Sequence, residues 1–309
     1  MNIIFMGTPE FAVPSLNALL SSHHNISAVV TIPDKPKGRG QHLAQSDVKK
    51  FALEHNLKIL QPEKLRDEEF SEEIKSLSPD LIVVVAFRIL PKNIFKIPKF
   101  GSINLHASLL PKYRGAAPIN WAIINGERET GVTTFFLQEK VDTGNILMQK
   151  SIDIAGDDTA GTLHDKLKII GADTVFETVE LIENNGGNPP AVKQNNGEAT
   201  PAPKIFKEDC RVNFDQSVDK VYDFIRGLSP YPGAFTEYNG KVLKIYNTVK
   251  SHWDSLKGPG RFFIKEGKLY VSTLNEFLEV TELQMEGKRR MNSVEFLNGH
   301  SDLFKKFKV

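Results

Sequence analysis

Apolar runs alternate with amphipathic segments through the first part of the chain, and this alternation restricts the fold more than any other feature. The run DLIVVVAF, residues 80–87, is apolar almost throughout, as expected of a strand that is buried on both faces of a sheet. Other strand-like runs are NIIFMG, ISAVVTI, LKIL, SINLH and GVTTFFL. Helical segments lie among them: SDVKKFALEH capped by Ser46, DEEFSEEIKSL, and a long helix starting near Thr162. The alternation predicts an α/β fold with a doubly wound, mainly parallel, Rossmann-like sheet.

This pattern ends at NNGGNPPAVKQNNGEATPAPK, residues 184–204, where Asn, Gly and Pro dominate. We interpret the stretch as a linker. Beyond it, a helical piece in SVDKVYDFIRGL precedes β-branched and aromatic runs separated by Gly-containing turns, which predicts a small β-barrel or sandwich. The expected domains are residues 1–188 and 204–309, joined by a linker over 189–203.

Charge and cysteine content exclude several classes of protein. The net charge is +1, so the whole chain shows no bias toward nucleic acid or membranes, although residues 204–309 carry 18 − 14 = +4. With Cys210 as its one cysteine, the chain can form neither an internal disulfide nor a cysteine metal cluster. The start, MNIIFMGTPEF, lacks the features of a signal peptide, and no segment is apolar enough to span a membrane. We expect a soluble, cytoplasmic monomer.

The turn after the first strand, Gly7-Thr-Pro-Glu-Phe, does not fit a dinucleotide site. The fingerprint G-x-G-x-x-G would require glycine where this chain has Pro9 and Ala12. The sheet must therefore bind another kind of ligand. In such folds, ligands gather at the carboxyl ends of the strands.

One of these strand ends, SINLH, combines an amide with an imidazole. Asn104 and His106 are two residues apart, so they share one face of the strand. Such a pair can equally be a satisfied structural network. Asp142 follows the next strand and precedes Thr143-Gly144, where an aspartate is most often a turn residue. An aspartic-protease site would need a second Asp-Thr-Gly or Asp-Ser-Gly, and the sequence contains none.

Together these three side chains are suited to acyl transfer onto an amine. Attack of an amine on a formyl carbon produces an oxyanion, to which Asn104 and protonated His106 can donate. Asp142 can orient and charge-stabilise His106, or accept the ammonium proton directly or through water. This chemistry needs neither a hydroxyl nor a thiol nucleophile.

Two further stretches each have a purely structural and a functional interpretation. SLLPKYRG is either an amphipathic loop with a rigid proline or an apolar surface, with nearby carbonyls, for a flat ring system. DKPKGRGQH is either a disordered basic loop or a loop that becomes ordered on RNA.

Several stretches are similar to the motifs of one enzyme family. They are IIFMGTPEFAVPSL, DKPKGRGQHLAQSDVK, NLHASLLPKYRGAAPINWAI, TGVTTFFLQEKVDTGNIL and, after the linker, FKEDCRVNF with VYDFIRGLSPYPGAF. They extend over nearly the whole chain, and the third is the most specific. The chain resembles the formyltransferases that use 10-formyltetrahydrofolate, in particular those whose acceptor is methionyl initiator tRNA.

The resemblance implies a role for each candidate residue. Asn104, His106 and Asp142 would be catalytic, with no metal implied. The implied contacts to 10-formyltetrahydrofolate, the formyl donor, are Ser108, Leu109, Leu110, Pro111, Phe87 and Ile89. The implied contacts to the tRNA acceptor stem are Lys35, Lys37 and Arg39. A C-terminal OB-like barrel would hold the tRNA, and Phe11 is the candidate for the methionine pocket.

Two positions depart from the family pattern. AFRILP has Arg88 where the family commonly has Ala-Tyr-Gly-x-Ile-Leu-Pro, and it is one residue shorter, so contacts at this strand end need not follow the family. Asp47 stands where Ser-Pro-Val-Lys is common, and its presence is expected to loosen a rigid turn.

Two other functions remain open. The same chemistry could act on glycinamide ribonucleotide or on an amino sugar carried by a nucleotide, although the basic loop and the basic barrel argue against these acceptors. Alternatively, the chain could be an RNA-binding module on an inactive folate-like scaffold. The presence of all three of Asn104, His106 and Asp142 argues against that second possibility.

Overall fold

The computed structural model describes residues 1–37, 42–254 and 258–306, which form two compact units. The first unit comprises Met1–Gly115, Thr130–Ile152 and His164–Pro201. The second comprises Ala116–Glu129, Asp153–Leu163 and the chain from Ala202 onward. None of the helices in the described part of the chain is long and apolar enough to cross a membrane.

Strands and helices alternate along the first half of the chain, as the sequence predicts. The strands are β1 (Asn2–Gly7), β2 (Asn25–Val30), β3 (Lys35–Lys37), β4 (His42–Ala44), β5 (Ile59–Leu60), β6 (Leu81–Val85), β7 (Ser102–His106), β8 (Arg114–Gly115), β9 (Glu129–Phe136) and β10 (Ile146–Asp153). The helices are α1 (Val13–Leu20), α2 (Asp47–Glu54), α3 (Glu68–Ser76), α4 (Lys92–Phe95), α5 (Pro118–Ile124) and α6 (Ala160–Asn184).

Seven of these strands form one sheet, in the order β10-β9-β7-β6-β1-β2-β5. From β5 to β7 the neighbouring strands run parallel, and β9 is antiparallel to β7. The chain builds from β1 out to β5 on one side and then from β6 to β7 on the other. The predicted doubly wound, mainly parallel sheet is confirmed. A sheet with this reversal opens its ligand crevice at the carboxyl ends of the strands.

A continuous apolar core covers one face of this sheet. Its buried members are Ile4, Met6, Ala28, Val30, Leu60, Leu65, Phe70, Ile74, Ile82, Val84, Leu90, Ile94 and Phe95. They combine alternate residues of β1, β2 and β6 with the inner faces of α3 and α4. Burial of such side chains contributes roughly 1.5–3 kcal/mol each, so the core holds the strand ends rigidly in place.

The start of α2 is capped as predicted. The Ser46 hydroxyl accepts the backbone N–H of Lys49 at 3.1 Å. Asp47 is the first helical residue and forms an ion pair with Lys50 at 3.0 Å. An aspartate is favourable at a helix N-terminus because it faces the positive end of the helix dipole. Asp47 therefore supports a helix start at this position.

The stretch that the sequence presents as a linker is packed onto the first unit over much of its length. Val192 forms an antiparallel bridge with Ile146 of β10. The Arg114 backbone N–H donates to the Thr200 carbonyl at 2.9 Å, and Gln194 is buried. Strand β11 (Pro201–Ala202) ends the stretch. This stretch has no periodic pattern of apolar residues, yet it is packed against the first unit. Its contacts are backbone bridges and single buried side chains, which leave no repeating pattern in the sequence.

The second unit contains an antiparallel β domain. Its elements in the C-terminal part are α7 (Val218–Gly227), β12 (Ala234–Tyr238), β13 (Lys241–Asp254), β14 (Phe262–Lys265), β15 (Lys268–Ser272), β16 (Glu276–Met285), β17 (Met291–Asn292), α8 (Ser293–His300) and β18 (Lys305–Lys306). The sheet order is β12-β13-β16-β15-β14-β18, with β17 beside β16. The pairs are antiparallel except for β14 with β18. The fold class expected from the sequence is confirmed.

Two segments from the N-terminal half complete this second unit. On α5, the Asn120 side chain donates to the Gly227 carbonyl at 2.7 Å. On α7, Arg226 is buried, and its guanidinium donates to the carbonyls of Ala155 at 3.0 Å and Asp158 at 2.8 Å. The C-terminal part therefore shares its packing with residues 116–129 and 153–163, which the pattern of strands and helices did not predict.

Candidate active site

Strand β7 carries the first two candidate residues at its carboxyl end. Asn104 pairs with Val84 of β6 and Phe135 of β9, and His106 pairs with Thr133 of β9. His106 is buried, whereas Asn104 is half-buried. Among the described residues, the Asn104 side-chain amide has no hydrogen-bond partner. This amide is therefore available to donate to a ligand.

The imidazole of His106 is oriented by a main-chain carbonyl. Its Nε2 lies 2.8 Å from the carbonyl oxygen of Tyr113. A carbonyl can only accept, so Nε2 carries a proton and donates. Tyr113 is held in turn, because its backbone N–H donates to the Thr200 hydroxyl at 2.8 Å. The nitrogen of His106 that remains for chemistry is Nδ1.

Asp142 meets this Nδ1 from the loop between β9 and β10. Its Oδ2 lies 3.9 Å from His106 Nδ1, close enough for charge stabilisation but beyond hydrogen-bond distance. The same oxygen accepts the backbone N–H of Gly115 at 2.9 Å. Asp142 has a left-handed φ of 53°. A Cβ on Gly144 would lie 1.6 Å from the Phe136 carbonyl oxygen, so the turn requires glycine there.

The Asp142 turn is fastened by Gln194, which is 5% exposed. Its Nε2 donates to the carbonyls of Asp142 at 3.0 Å and Gly144 at 2.8 Å. Its Oε1 accepts from Arg114 at both Nε and Nη2, at 3.1 and 2.6 Å. All polar atoms of the Gln194 side chain are therefore engaged, and they join the Asp142 turn to the chain beyond His106.

The loop after His106 is shaped by a buried hydroxyl. Thr133 donates to the Ser108 carbonyl at 2.6 Å and accepts the backbone N–H of Leu110 at 3.1 Å. Gln149 donates to the Leu110 carbonyl and to the Thr133 hydroxyl, both at 2.9 Å. The Ser108 hydroxyl donates to the Lys112 carbonyl at 2.7 Å. Ser108 and Leu110 are buried and engaged within the protein, whereas Leu109 and Pro111 keep partly exposed surface.

Phe87 and Ile89 follow β6, at the neighbouring strand end. Phe87 packs partly against the core of the first unit, and Ile89 is 75% exposed. Arg88 between them lies over the Phe87 ring, and its guanidinium donates to the carbonyls of Pro62 at 2.8 Å and Glu63 at 3.0 Å. These hydrogen bonds hold the Arg88 side chain against the backbone of Pro62 and Glu63, and the side chain of Ile89 stays exposed.

The remaining candidates lie elsewhere in the first unit. Phe11 is 6% exposed, and its ring centroid lies 5.1 Å from that of His164. The backbones of β3 and β4 form an antiparallel pair that includes exposed Lys35. The side chain of Lys37 and all of Arg39 lie outside the described residues.

The structure brings His106 and Asp142 within 3.9 Å of each other, and Asn104 lies two residues before His106 on β7, on the same face of the strand. It also shows residues that hold these candidates and their loop in place and that the sequence did not indicate: Tyr113, Gln194, Thr133 and Gln149. Tyr113 orients His106 through its main-chain carbonyl, which no side-chain pattern can reveal. Gln194 lies in a stretch with neither helical nor strand periodicity, so no pattern in the sequence indicates that its side chain is buried.

An imidazole with one free nitrogen faces a carboxylate at the end of β7, and a donor amide lies two residues earlier on the same face of the strand. This arrangement is suited to stabilising an oxyanion and moving a proton at a carbonyl carbon that an amine attacks. Family comparison leads to the same class. Residues 1–179 match the model of the family described as formyl transferase, and residues 204–301 match that of its C-terminal domain. The chain belongs to the formyl transferase family.

The similar full-length relatives are methionyl-tRNA formyltransferases. The protein of that name from Bacteroides thetaiotaomicron is 47% identical over 308 residues, which covers 97% of this chain and 95% of the relative. That from Parabacteroides distasonis is 48% identical and covers 98% and 97%. That from Clostridioides difficile is 46% identical and covers 97% of both chains. The relatives match at both domains, not at the catalytic fold alone.

Solved structures share the fold at lower identity. The methionyl-tRNA formyltransferase from Clostridium thermocellum has a TM-score of 0.56 at 22% identity and covers 90% of this chain and 99% of that chain. WlaRD, a sugar 3N-formyl transferase solved with dTDP and 5-N-formyl-THF, has a TM-score of 0.68 at 24% identity and covers 94% and 99%. These likenesses show the fold alone.

Proposed function

We propose that this chain transfers the formyl group of 10-formyltetrahydrofolate to the α-amino group of methionyl initiator tRNA. The products are N-formylmethionyl-tRNA and tetrahydrofolate. One observation carries the proposal: His106 faces Asp142 at the end of β7, with Asn104 on the same face of that strand, in a chain that is 46–48% identical to methionyl-tRNA formyltransferases over nearly its whole length.

The reaction makes one bond to the formyl carbon and breaks another. The amine nitrogen of methionine attacks that carbon, and the carbonyl oxygen becomes an oxyanion. The free amide of Asn104 donates to this oxyanion, and His106 donates when Nδ1 is protonated. The C–N10 bond of the folate then breaks, N10 takes up a proton, and the new amide leaves without a covalent enzyme intermediate.

The attacking amine must also lose a proton. Asp142 Oδ2 and His106 Nδ1 are 3.9 Å apart, so the carboxylate stabilises an imidazolium without sharing its proton. The His106 ring cannot rotate to exchange its nitrogens without losing the 2.8 Å bond to the Tyr113 carbonyl. We therefore assign proton transfer to Nδ1, with Asp142 as its electrostatic partner and as the alternative acceptor through water.

The folate is proposed to lie against the loop after β7 and the end of β6. Leu109, Pro111 and Ile89 offer apolar surface at these strand ends, and Phe87 lies beside them. Ser108 and Leu110 act by fixing the loop through Thr133 and Gln149. No metal takes part in this reaction scheme.

The acceptor tRNA is proposed to contact the basic segment that contains Lys35, Lys37 and Arg39, together with the C-terminal β domain. Residues 204–309 carry a net charge of +4, which favours a polyanion. Phe11 is the candidate for contact with the methionine side chain. Because Phe11 is 6% exposed, only a small part of its side chain can line such a pocket.

A formylation assay tests the proposal. Purified enzyme with 10-formyltetrahydrofolate should formylate charged initiator tRNA, and elongator methionyl-tRNA should react poorly by comparison. An amino sugar linked to a nucleotide is the third acceptor, because the fold is shared with a sugar N-formyltransferase. Preference for the sugar would reject the proposed acceptor and retain the chemistry. No formyl transfer to any of the three would reject both.

A further inference from the structure

A cluster of two histidines and two glutamates lies outside the candidate active site. His23 and His24 connect α1 to β2, while Glu180 and Glu183 lie one turn apart near the end of α6. All four belong to the first unit. One nitrogen or oxygen of each side chain lies within 4.8 Å of those of the others.

The separations within this His–Glu cluster suit a shared ion. His24 Nε2 lies 2.9 Å from Glu180 Oε1, and His23 Nδ1 lies 3.7 Å from the same oxygen. Glu183 Oε2 lies 2.8 Å from His23 Nε2 and 3.9 Å from His24 Nδ1. Bonds of about 2.0–2.2 Å to a tetrahedral zinc place two ligand atoms roughly 3.4 Å apart, in the middle of this range.

The strongest sign of a ligand is an unpartnered buried imidazole nitrogen. The His24 side chain is fully buried, yet its Nε2 has no hydrogen bond to any described residue, and neither has Glu180 Oε1. Their separation of 2.9 Å is short enough for a hydrogen bond, so it is the direction that fails. Two ligands of one metal ion show this offset, because each lone pair points at the ion and not at the other ligand.

A second cluster shows what an occupied arrangement looks like. Glu10, His164 and Asp165 also lie close together, but Lys168 Nζ sits between the carboxylates, 2.6 Å from Glu10 and 2.9 Å from Asp165. Its ammonium satisfies both acids. The His–Glu cluster has no lysine or arginine among the partners that the described residues supply, and the cation beside it is the amino group of Met1. That amino group contacts Glu183 Oε1 and His24 Nδ1, and it leaves His24 Nε2 and Glu180 Oε1 facing each other.

We propose that His23, His24, Glu180 and Glu183 form a structural site for a divalent transition metal of the zinc type. Two neutral imidazoles and two carboxylates are a ligand set that suits zinc, and the two negative charges balance the ion. Magnesium and calcium prefer all-oxygen ligands and would bind poorly. The ion would fasten the segment between α1 and β2 to the end of α6.

A metal ion at this site would also change the contact between His24 and the amino group of Met1. The amino group of Met1 lies 3.2 Å from His24 Nδ1 and 2.9 Å from Glu183 Oε1. Coordination through Nε2 leaves the proton on Nδ1, where it points at the Met1 nitrogen, so that nitrogen would accept this hydrogen bond instead of donating it.

Calorimetric titration of chelator-treated full-length protein with zinc chloride tests the site. The protein is prepared without an N-terminal tag, so that Met1 keeps its place. We expect one zinc per chain, a rise in Tm on zinc addition and no saturable binding of magnesium. Absence of saturable zinc binding would overturn the proposal.

Variants locate the ion. His23→Ala and Glu180→Gln remove partly exposed ligands, so the protein should fold, and each should weaken zinc binding about tenfold or more. His55→Ala removes an exposed histidine outside the cluster, and Glu177→Gln removes an acid one turn earlier on α6; both should bind zinc like the unmodified protein. Equal affinity in all five proteins would place the ion elsewhere and end the proposal.

Discussion

A single main-chain carbonyl decides which nitrogen of His106 can react. Because Tyr113 accepts from Nε2 at 2.8 Å, the imidazole presents Nδ1 toward Asp142. The carboxylate is 3.9 Å away and is itself held by the Gly115 N–H. The two groups therefore interact through charge, and an incoming oxyanion or amine competes with no existing hydrogen bond at Nδ1 among the described residues.

Asn104→Ala is the sharpest test of an oxyanion donor. Loss of one such donor typically lowers kcat by about 10²–10³. Because the Asn104 amide has no partner among the described residues, its removal should leave the Tm nearly unchanged. Steady-state formylation and a tRNA-binding measurement separate the effects. If tRNA binding were lost while kcat persisted, the assigned role would be wrong.

The lowered pKa of Glu183 predicts that the stability of the protein depends on pH. Hydrogen bonds from the amino terminus and from His23 lower its pKa from 4.5 to about 2. A carboxylate with a lowered folded-state pKa stabilises the protein fully above 4.5 and loses that contribution as pH falls toward 2. In the presence of a chelator, the Tm of Glu183→Gln should therefore lie below that of the unmodified protein at neutral pH and equal it near pH 2. A difference in Tm that stays constant across this pH range would contradict the lowered pKa of Glu183.

At the scale of elements, the segment between α6 and the C-terminal β domain is part of the active-site scaffold. Gln194 joins the carbonyls of Asp142 and Gly144 to the Arg114 guanidinium. Thr200 holds Tyr113 from the same segment. The turn that carries Asp142 and the carbonyl that orients His106 therefore both depend on chain that follows α6.

Gln194→Leu tests this dependence. The substitution leaves two buried carbonyls without a donor, at a cost of about 1–3 kcal/mol each, and frees the Asp142 turn. We expect a clear fall in kcat with a smaller change in KM for tRNA, and an altered acid limb of the pH–rate profile. Lys193→Ala, which changes an exposed neighbour, is the control. A lower Tm with unchanged kcat would show that Gln194 serves stability alone.

At the scale of the whole molecule, the two units are not consecutive in sequence. The β domain takes in residues 116–129 and 153–163 from the half of the chain that also forms the parallel sheet. Arg226 shows why the C-terminal part needs them, since its buried guanidinium donates to the carbonyls of Ala155 and Asp158 and pairs with Asp223 at 2.7 Å.

Arg226→Ala should destabilise the second unit strongly. Hydrogen bonds to a charged donor are worth about 1.5–3 kcal/mol, and the two carbonyls lose theirs together. Arg211→Ala removes an exposed ion pair with Glu237 and should change stability by about 0.5 kcal/mol or less. Urea unfolding of both variants provides the comparison. Equal stability of the two would mean that residues 153–163 contribute little to the unit.

Local pattern was enough to predict the architecture. The apolar run of β6, the Ser46 cap of α2 and the strand-like runs of the C-terminal part are all confirmed, because secondary structure and burial leave periods that are visible within a few residues. The pairing of Asn104 with His106 on one face followed from the two-residue period of a strand.

Tertiary structure decided what distant or aperiodic residues do. Gln194 reaches Asp142 across 52 positions, and His23 reaches Glu183 across 160, with no repeating signal to announce either contact. The orientation of His106 depends on a carbonyl, which every residue possesses and no sequence can distinguish. The sequence by itself therefore determined which chemical groups this protein has. The packing of its segments determined which of those groups are free to react, because only three-dimensional contact gives each donor and acceptor its partner.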